Sequence, residues 1–134
     1  MSCSELQLGD LEIAVLEEIW KSDRGEARVL HEKLGAARGI SLSTIQSTLE
    51  RLHRKDLLSR ERVSHAYVYA PLQTRDAVMA RLIECALGRF SDGRGEGLLA
   101  AFNGYAARDA DPELLDQLEG LIRKHRKAAG GDAA

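Results

Sequence analysis

The stretch that decides the fold is residues 41–72, which read SLSTIQSTLERLHRKDLLSRERVSHAYVYAPL. Ser41 is a good helix N-cap, and apolar residues then recur at i, i+4 and i+7 from Ile45, the spacing of one buried helix side. Two short β-type runs follow, LLSRERV and AYVYA, joined by the polar pair Ser64-His65. A capped helix followed by a β-hairpin is the order of parts in a winged helix-turn-helix.

Length and composition limit the class of protein. A chain of 134 residues fits one compact unit, or a small head with an oligomerisation arm. The hydrophobic content of 44% and the charged content of 30% are typical of a folded protein. No apolar run approaches the roughly 20 residues of a membrane span, and the N-terminus lacks signal-peptide character. We therefore expect no direct membrane insertion.

The sequence offers no site for metal, cofactor or catalysis. Its two cysteines, Cys3 and Cys85, have no metal-ligand spacing and make no disulfide framework, so we expect both to be reduced. No His, Asp or Glu set has metal spacing, and no nucleophile elbow or nucleotide motif is found. We predict a protein that is not an enzyme and that needs no metal and no cofactor.

The charge is distributed unevenly along the chain, although its net value is only −2. Residues 1–37 carry four Lys/Arg against eight Asp/Glu, whereas residues 38–65 carry six against three, with His53 and His65 beside them. Local patches, not the total, decide attraction to phosphate. Considered alone, the positive segment is equally consistent with a solvated helix face and with a DNA-binding surface.

Two helices are predicted ahead of this stretch. Residues 10–21, DLEIAVLEEIWK, carry an apolar stripe at helical spacing, which makes this helix part of the core and Trp20 a packing residue. Residues 27–36 predict a second, shorter helix. His31, within it, has no partner at ligand spacing and is expected to be a polar surface residue.

The exposed side of the third helix changes character along its length. Its first turns are short and polar, whereas its last turns are cationic. A solvated helix more often carries Glu and Lys, so the polar tip favours contact with base edges in the major groove. Gln46 is the sharpest candidate because its amide can pair bidentately with adenine; the alternative is a solvated polar residue beside the groove. The predicted base-reading residues are Ser43, Thr44, Gln46 and Ser47.

Phosphate contacts are predicted around the end of this helix and along the hairpin. Alternation along the first strand lets Arg60 and Arg62 share one face. Lys55 and Asp56 end the helix, with Asp56 expected in the left-handed conformation where glycine is usual. The predicted phosphate contacts are Ser41, Arg51, Arg54, Lys55, Arg60, Arg62 and His65.

Beyond residue 72 the chain is predicted to be helical, with residues 91–97, SDGRGEG, as a linker. Three amphipathic helices with so little surrounding chain cannot bury their apolar faces in a monomer, which predicts a symmetric dimer. The predicted domains are a winged-helix domain over 6–73, a helical dimerisation domain over 74–127 and a disordered tail over 128–134. The predicted interface residues are Val78, Leu82, Leu99, Phe102, Leu114, Leu118, Leu121 and Ile122.

The order LGDLEIAVLEEIW…TIQSTLERLHRKDLLSRERVSHAYVYAPL resembles the penicillinase-repressor family of bacterial transcription regulators (BlaI/MecI/CopY type) over about residues 6–127. Its most specific parts are L-x-x-x-E-x-x-V-L-x-x-x-W, from Leu8 to Trp20, and T-[IV]-x-x-x-L-x-R-L-x-x-K, from Thr44 to Lys55. The resemblance implies a homodimeric winged-helix repressor on palindromic, double-stranded operator DNA. It also implies a bacterial protein at the nucleoid, and a cytoplasmic location is expected because the sequence shows no membrane span and no signal-peptide character.

The chain departs from the family pattern at several positions. Members usually carry Gly after the lysine and often in the wing, where Asp56 and Ser64-His65 stand here. In antibiotic-response members a sensor-triggered protease cuts at Asn-Phe, and Ala101-Phe102 occupies that place here. Through those members, the resemblance adds a membrane sensor–protease system to the candidate partners, although the Asn of their cut site is replaced here. Copper-responsive members carry C-terminal Cys-x-Cys motifs, which this sequence lacks, so copper sensing by that route is excluded.

Two alternatives to a simple repressor stay open. A winged-helix protein-interaction module would use the third helix to bind protein, which the cations on helix and wing argue against. A repressor controlled by a small molecule or by redox chemistry at Cys85 would keep DNA binding. A thiol within a helical apolar stripe is usually inert packing, which argues against the redox variant.

Overall fold

The structure, a computed structural model, describes residues 3–4, 6–89, 94–109 and 111–132. The chain divides into two compact units, residues 1–86 and 87–134. The division falls later than the predicted boundary at residues 73 and 74, because most of the first helix after the hairpin belongs to the N-terminal unit.

The N-terminal unit is helical except for one hairpin. Its elements are α1 (Asp10–Ser22), α2 (Ala27–Leu30), a π-helical turn (His31–Gly35), α3 (Ala36–Arg38), α4 (Leu42–Arg54), β1 (Leu58–Val63), β2 (Ala66–Pro71) and α5 (Arg75–Gly88), of which α5 ends two residues past the unit boundary. The two strands form one antiparallel sheet. This arrangement confirms the predicted mainly helical fold with a small β-wing.

The core lies where α1, α4 and the start of β1 meet. Ile45, Leu49 and Leu52 of α4 are fully buried, as their spacing predicted. They pack with Val15, Leu16 and Ile19 of α1 in one cluster that includes Leu57 and Leu58. Burial of each such side chain stabilises the fold by roughly 1.5–3 kcal/mol, so α4 is held firmly by one side while its other side stays in solvent.

The second helix is less regular than the sequence predicted. The helical stretch runs on from Ala27 to Arg38 through the π-helical turn. His31 is half-buried, and its Nε2 lies 2.9 Å from the Ile40 carbonyl oxygen. Its ring sits directly over Gly35, where a Cβ atom would overlap it. His31 is therefore a structural residue of the turn before α4, and the prediction of a simple surface residue was wrong.

The end of α4 is a Schellman motif. The Asp56 N–H donates to the His53 carbonyl at 3.1 Å and the Leu57 N–H to the Leu52 carbonyl at 3.1 Å. Asp56 takes a left-handed φ of 60°, as predicted. The motif turns the chain from α4 directly into β1, and this fixes the hairpin beside the helix.

The hairpin is closed by a two-residue turn and anchored at its base. Its register pairs Arg62 with Tyr67 and Val63 with Ala66, which leaves Ser64 and His65 as the turn. Ser64 has a φ of 58°, again in the left-handed region. At the other edge of β2, Tyr69 bridges to Gly25 between α1 and α2. The wing is thus supported by the turn after α1.

Helix α5 packs against the other elements of the N-terminal unit. Thr74 caps it, accepting from the Ala77 N–H at 3.1 Å. Val78 is buried in the core and Leu82 packs against it. Arg75 pairs with Glu17 of α1 at 2.8 Å, and that carboxylate raises the pKa of Arg75 through a hydrogen bond and its charge. The prediction that Val78 lies in a dimer interface was wrong, since this side chain is used inside its own unit.

Cys85 of α5 forms a disulfide with Cys3. Spacing along the sequence could not predict this pairing, because 82 residues separate the two cysteines. The expectation of two reduced, independent thiols is therefore corrected.

The C-terminal unit contains two helices, α6 (Arg94–Asp109) and α7 (Pro112–Asp132). The Glu113 N–H donates to Asp111 Oδ1 at 3.0 Å, so Asp111 caps α7. Residues 94–97 belong to α6 where a linker was expected, and 90–93 lie outside the described residues. Helix α7 continues through Asp132, where a disordered tail was expected from residue 128. Residues 133–134 lie outside the described residues. None of the described side chains of this unit is buried.

Across the residues that the structure describes, no helix is both long and apolar enough to span a membrane.

Candidate DNA interface

The N-terminal tip of α4 carries a small cluster of hydroxyls. Ser41 caps the helix, and its Oγ accepts from the Thr44 N–H at 3.3 Å, as predicted. The same oxygen lies 3.1 Å from Ser43 Oγ and 3.0 Å from Thr44 Oγ1. Ser47 donates to the Ser43 carbonyl at 2.8 Å. These hydroxyls are ordered by the helix itself and all four residues are exposed.

Gln46 differs from its neighbours on this tip. It is exposed, and its amide makes no hydrogen bond with any of the described residues. A Gln amide carries two donors and two acceptor positions, so all of them are available to a ligand in front of the helix. Of the four predicted base-reading residues, Gln46 has the largest uncommitted hydrogen-bonding capacity.

The cations at the end of α4 do not behave alike. Arg54 is exposed and forms no ion pair within the described parts of the chain. Arg51 is exposed too, with a guanidinium N–H 3.4 Å from Thr48 Oγ1. Lys55 instead donates to Glu12 Oε2 at 2.7 Å and to the Gln7 carbonyl at 2.8 Å. Its ammonium group is therefore already used in holding α4 to α1.

The wing presents its two arginines around one aromatic ring. The Arg60 guanidinium carbon lies 4.3 Å from the Tyr67 ring centroid and that of Arg62 lies 6.0 Å from it. Both distances are within the range of cation–π attraction, which orients a guanidinium without neutralising it. The two positive groups share a face, as strand alternation predicted, and the Tyr67 ring orients both of them. Tyr67 was absent from the predicted site.

Helix and wing face each other across an open groove of about 760 Å³. His65, at the tip of the hairpin, is exposed and lines the same groove. The groove also brings in Arg28 of α2, an exposed cation that the sequence reasoning missed because it lies well ahead of the decisive stretch. The lining residues are Glu26, Ala27, Arg28, Gln46, Leu49, Glu50, Arg60, Ser64, His65, Ala66, Tyr67 and Tyr69.

No group of three or more His, Cys, Asp or Glu residues in the described part of the chain could hold a metal ion. The exposed surface of α4 and the wing carries hydrogen-bonding groups and guanidinium groups. This combination suits a polyanion that also displays donors and acceptors, as the grooves of a nucleic acid do.

Comparisons with known proteins identify the family to which the chain belongs. The family model described as "Penicillinase repressor" matches residues 8–124. The transcriptional regulator BlaI of Mycobacterium tuberculosis (strain H37Rv) is 37% identical over 130 residues, which cover 96% of this chain and 94% of the relative.

Two solved structures are similar as well. The DNA-binding domain of the repressor BlaI is 29% identical over 52% of this chain and 84% of its own, with a TM-score of 0.48. YusO of Bacillus subtilis resembles the chain in fold alone, with 13% identity over 92% of this chain and 78% of its own and a TM-score of 0.50. Since the family match and the 37% identical relative each span most of the sequence, the chain belongs to the penicillinase-repressor family of DNA-binding transcriptional repressors, which are not enzymes.

Proposed function

We propose that this repressor binds a palindromic operator as a homodimer, with α4 of each protomer in a major groove and each wing on the adjacent backbone. The observation that carries the proposal is the groove in which Gln46 of α4 faces Arg60 and His65 of the wing. Winged helices place a reading helix in the major groove while flanking elements contact phosphates. One surface here offers both kinds of contact.

The contacts divide by chemistry. Ser43, Gln46 and Ser47 offer neutral donors and acceptors at the tip of α4, which suits contacts with base edges. Thr44 lies beside them on the same tip and stays in the base-reading set. Arginine and histidine side chains and the capping hydroxyl suit phosphates, which position the protein without reading sequence. We assign phosphate contacts to Ser41, Arg51, Arg54, Arg60, Arg62 and His65, add Arg28, and omit Lys55 because its ammonium group is engaged by Glu12.

Exposed apolar side chains on α6 and α7 support the dimer. Leu99 is 69% exposed, Leu121 is 51% exposed and Ile122 is 58% exposed within one chain. An isolated protomer with so much exposed apolar surface on two helices is unfavourable in water, and a second copy that supplies the same surface would cover it. The interface residues we retain on α6 and α7 are Leu99, Phe102, Leu114, Leu118, Leu121 and Ile122. Leu82 of α5 is also retained, because its side chain is only half-buried within its own unit.

A symmetric dimer dictates the form of the operator. Two identical reading helices related by a two-fold axis require two half-sites related by the same axis. Each half-site contributes its own binding free energy, so a protomer alone should bind only weakly. The proposal therefore links the oligomeric state directly to operator affinity.

Leu121→Asp tests this link, because the side chain is exposed in the single chain and its replacement should not disturb the protomer's own packing. The matched control is Gly120→Asp, which adds the same charge on the side of α7 opposite its apolar stripe, where an added Cβ atom meets no atom within 4 Å. The probe is a duplex selected from a random-sequence pool by the wild-type protein. We expect Leu121→Asp to sediment as a monomer and to lose at least about 100-fold in affinity, while the control stays dimeric. A dimeric Leu121→Asp variant with wild-type affinity would contradict the proposal.

A further inference from the structure

The two cysteines of the sequence, Cys3 and Cys85, form a disulfide across 82 residues, with their Cα atoms 5.4 Å apart. Cys3 lies in the N-terminal segment and is exposed, whereas Cys85 lies in the last turn of α5 and is buried. No third cysteine in the sequence competes for either sulfur. The fold thus pairs an exposed cysteine with a buried one.

A transcriptional repressor meets its operator in the cytosol, where thiols are kept reduced and a disulfide is typically transient, catalytic or redox-sensing. We infer that Cys3 and Cys85 form a thiol–disulfide modification site, that its oxidant is a hydroperoxide, and that its state sets the affinity of the repressor for DNA. The inference rests on DNA binding, which family membership establishes, and not on the proposed dimer.

The chemistry balances with one hydroperoxide. The Cys3 thiolate attacks a peroxide oxygen, the O–O bond breaks and an alcohol leaves (water when the oxidant is hydrogen peroxide), which gives a sulfenic acid at Cys3. The Cys85 sulfur then attacks the Cys3 sulfur, the S–O bond breaks, and the departing hydroxide leaves as water with the Cys85 proton. Two thiols are oxidised to one disulfide as the peroxide is reduced to alcohol and water. A dithiol reverses the step by exchange.

The segment that carries Cys3 touches the DNA-reading helix. The Leu6 N–H donates to the Cys3 carbonyl at 3.2 Å, and Leu6 itself is buried in the core. The next residue, Gln7, accepts a hydrogen bond from Lys55 at the end of α4 at 2.8 Å. Because Lys55 also pairs with Glu12, the N-terminal segment, α1 and α4 meet at one ammonium group. The disulfide therefore fastens a segment that braces α4.

The disulfide braces the DNA-binding unit without covering its reading surface. Gln46 and Ser47 stay exposed in the disulfide form. Cys85 stands one residue before Ala86, the last residue of this unit, so oxidation also fastens the final turns of α5. If the disulfide has already ordered the N-terminal segment and the final turns of α5, DNA binding no longer loses conformational entropy in ordering them. The oxidised repressor should bind DNA more tightly than the reduced one, by about five-fold or more.

The test uses the full chain and a duplex selected from a random-sequence pool by the wild-type protein. Reduced protein is treated with hydrogen peroxide, and intact mass and alkylation report the cysteines while fluorescence anisotropy reports DNA affinity. We expect the loss of two hydrogen atoms, no cross-linked chains and about five-fold tighter binding that dithiothreitol reverses. Cys3→Ser and Cys85→Ala are matched controls, and each is compared with itself before and after peroxide, so altered stability does not confuse the result.

Any one of four results would overturn the inference. Both thiols could remain open to alkylation after peroxide, the disulfide could join separate chains, or DNA affinity could be unchanged or weaker in the oxidised form. Peroxide sensitivity of DNA binding in both cysteine variants would also assign the effect to other residues. Failure of the proposed dimer is distinguishable from all of these, because sedimentation reports it independently of the mass and alkylation results.

Discussion

The ammonium of Lys55 lies 2.7 Å from a carboxylate oxygen of Glu12, so the end of α4 is joined to α1 by a partly buried ion pair. The Lys55 and Glu12 side chains are only 21% and 12% exposed. Lys33, by contrast, pairs with Glu18 at 3.7 Å and is 48% exposed. A shielded charge that loses its partner costs much more than an exposed one. This difference separates a structural lysine from a surface lysine.

Lys55→Met should therefore lower the free energy of unfolding by about 1–3 kcal/mol, measured by urea denaturation, while Lys33→Met should change it by less than about 0.5 kcal/mol. The salt dependence of DNA binding by Lys55→Met should keep its slope, whereas Arg62→Ala should reduce that slope by about one. A reduced slope in Lys55→Met would restore Lys55 to the phosphate contacts.

Asp56→Gly and Ser64→Gly should each stabilise the protein by about 0.5–1 kcal/mol, because both residues hold left-handed backbones that glycine adopts without strain. Gly39→Ala is the opposite control: Gly39 has a φ of 65°, and a Cβ added there would meet no atom within 4 Å, so only backbone strain is introduced. We expect this variant to lose about 1 kcal/mol. Equal stability of all three variants in urea melts would contradict the backbone argument.

Gly35→Ala should destabilise the protein by about 1–3 kcal/mol, because the new methyl group overlaps the His31 ring and approaches the Ile40 carbonyl oxygen to 2.9 Å. Moving His31 away would break its hydrogen bond to Ile40. Gly120→Ala, in open space on α7, should instead be neutral or stabilising. Thermal melting compares the two variants directly, and a Gly35→Ala variant as stable as Gly120→Ala would refute the steric account.

Gln46→Ala should relax specificity at one base pair of each half-site by about 1–3 kcal/mol, with nonspecific affinity nearly unchanged, because its amide is available for bidentate pairing. The measurement is a scan of single-base changes through the selected operator. Glu50→Ala on the same helix, also exposed and lining the same groove, is the comparison. An identical profile for Gln46→Ala and the parent would transfer base reading to Ser43 and Ser47.

Tyr67→Leu should weaken binding to all DNA sequences alike, by about three- to ten-fold, because the ring that orients Arg60 and Arg62 is lost. Tyr67→Phe keeps the ring and should bind nearly as the parent does. Anisotropy titrations on a random duplex measure both variants. Equal losses in the two variants would point to the phenol hydroxyl instead of the ring.

The sequence pattern was sufficient to predict a structural feature wherever the interaction that produces the feature joins residues close together in the chain. The N-cap at Ser41, the buried positions Ile45 and Leu49, and the left-handed Asp56 depend on residues within one or two helical turns. The two-residue wing turn follows in the same way from the alternation on either side of it. These features were predicted correctly because helix capping and hydrophobic periodicity act over short distances in sequence.

Residue roles that depend on distant partners were not predictable in this way. Lys55 is engaged by a carboxylate 43 residues earlier, and Cys85 by a sulfur 82 residues earlier. The stripe that contains Val78 is amphipathic whether it faces its own unit or another chain, and only packing decided that it joins the core. Periodicity states which side of a helix is apolar, but not what covers it.

The sequence by itself determined the winged-helix architecture, the polar and then cationic exposed side of α4, and the family, since each is written in residue order and spacing. Tertiary structure alone decided that Lys55 braces α4, that Tyr67 gathers the wing arginines, and that Cys3 meets Cys85. The physical reason is that a charge, a ring or a thiol acquires its role from the group brought within a few ångströms of it. Chain folding, and not neighbourhood along the chain, selects that group.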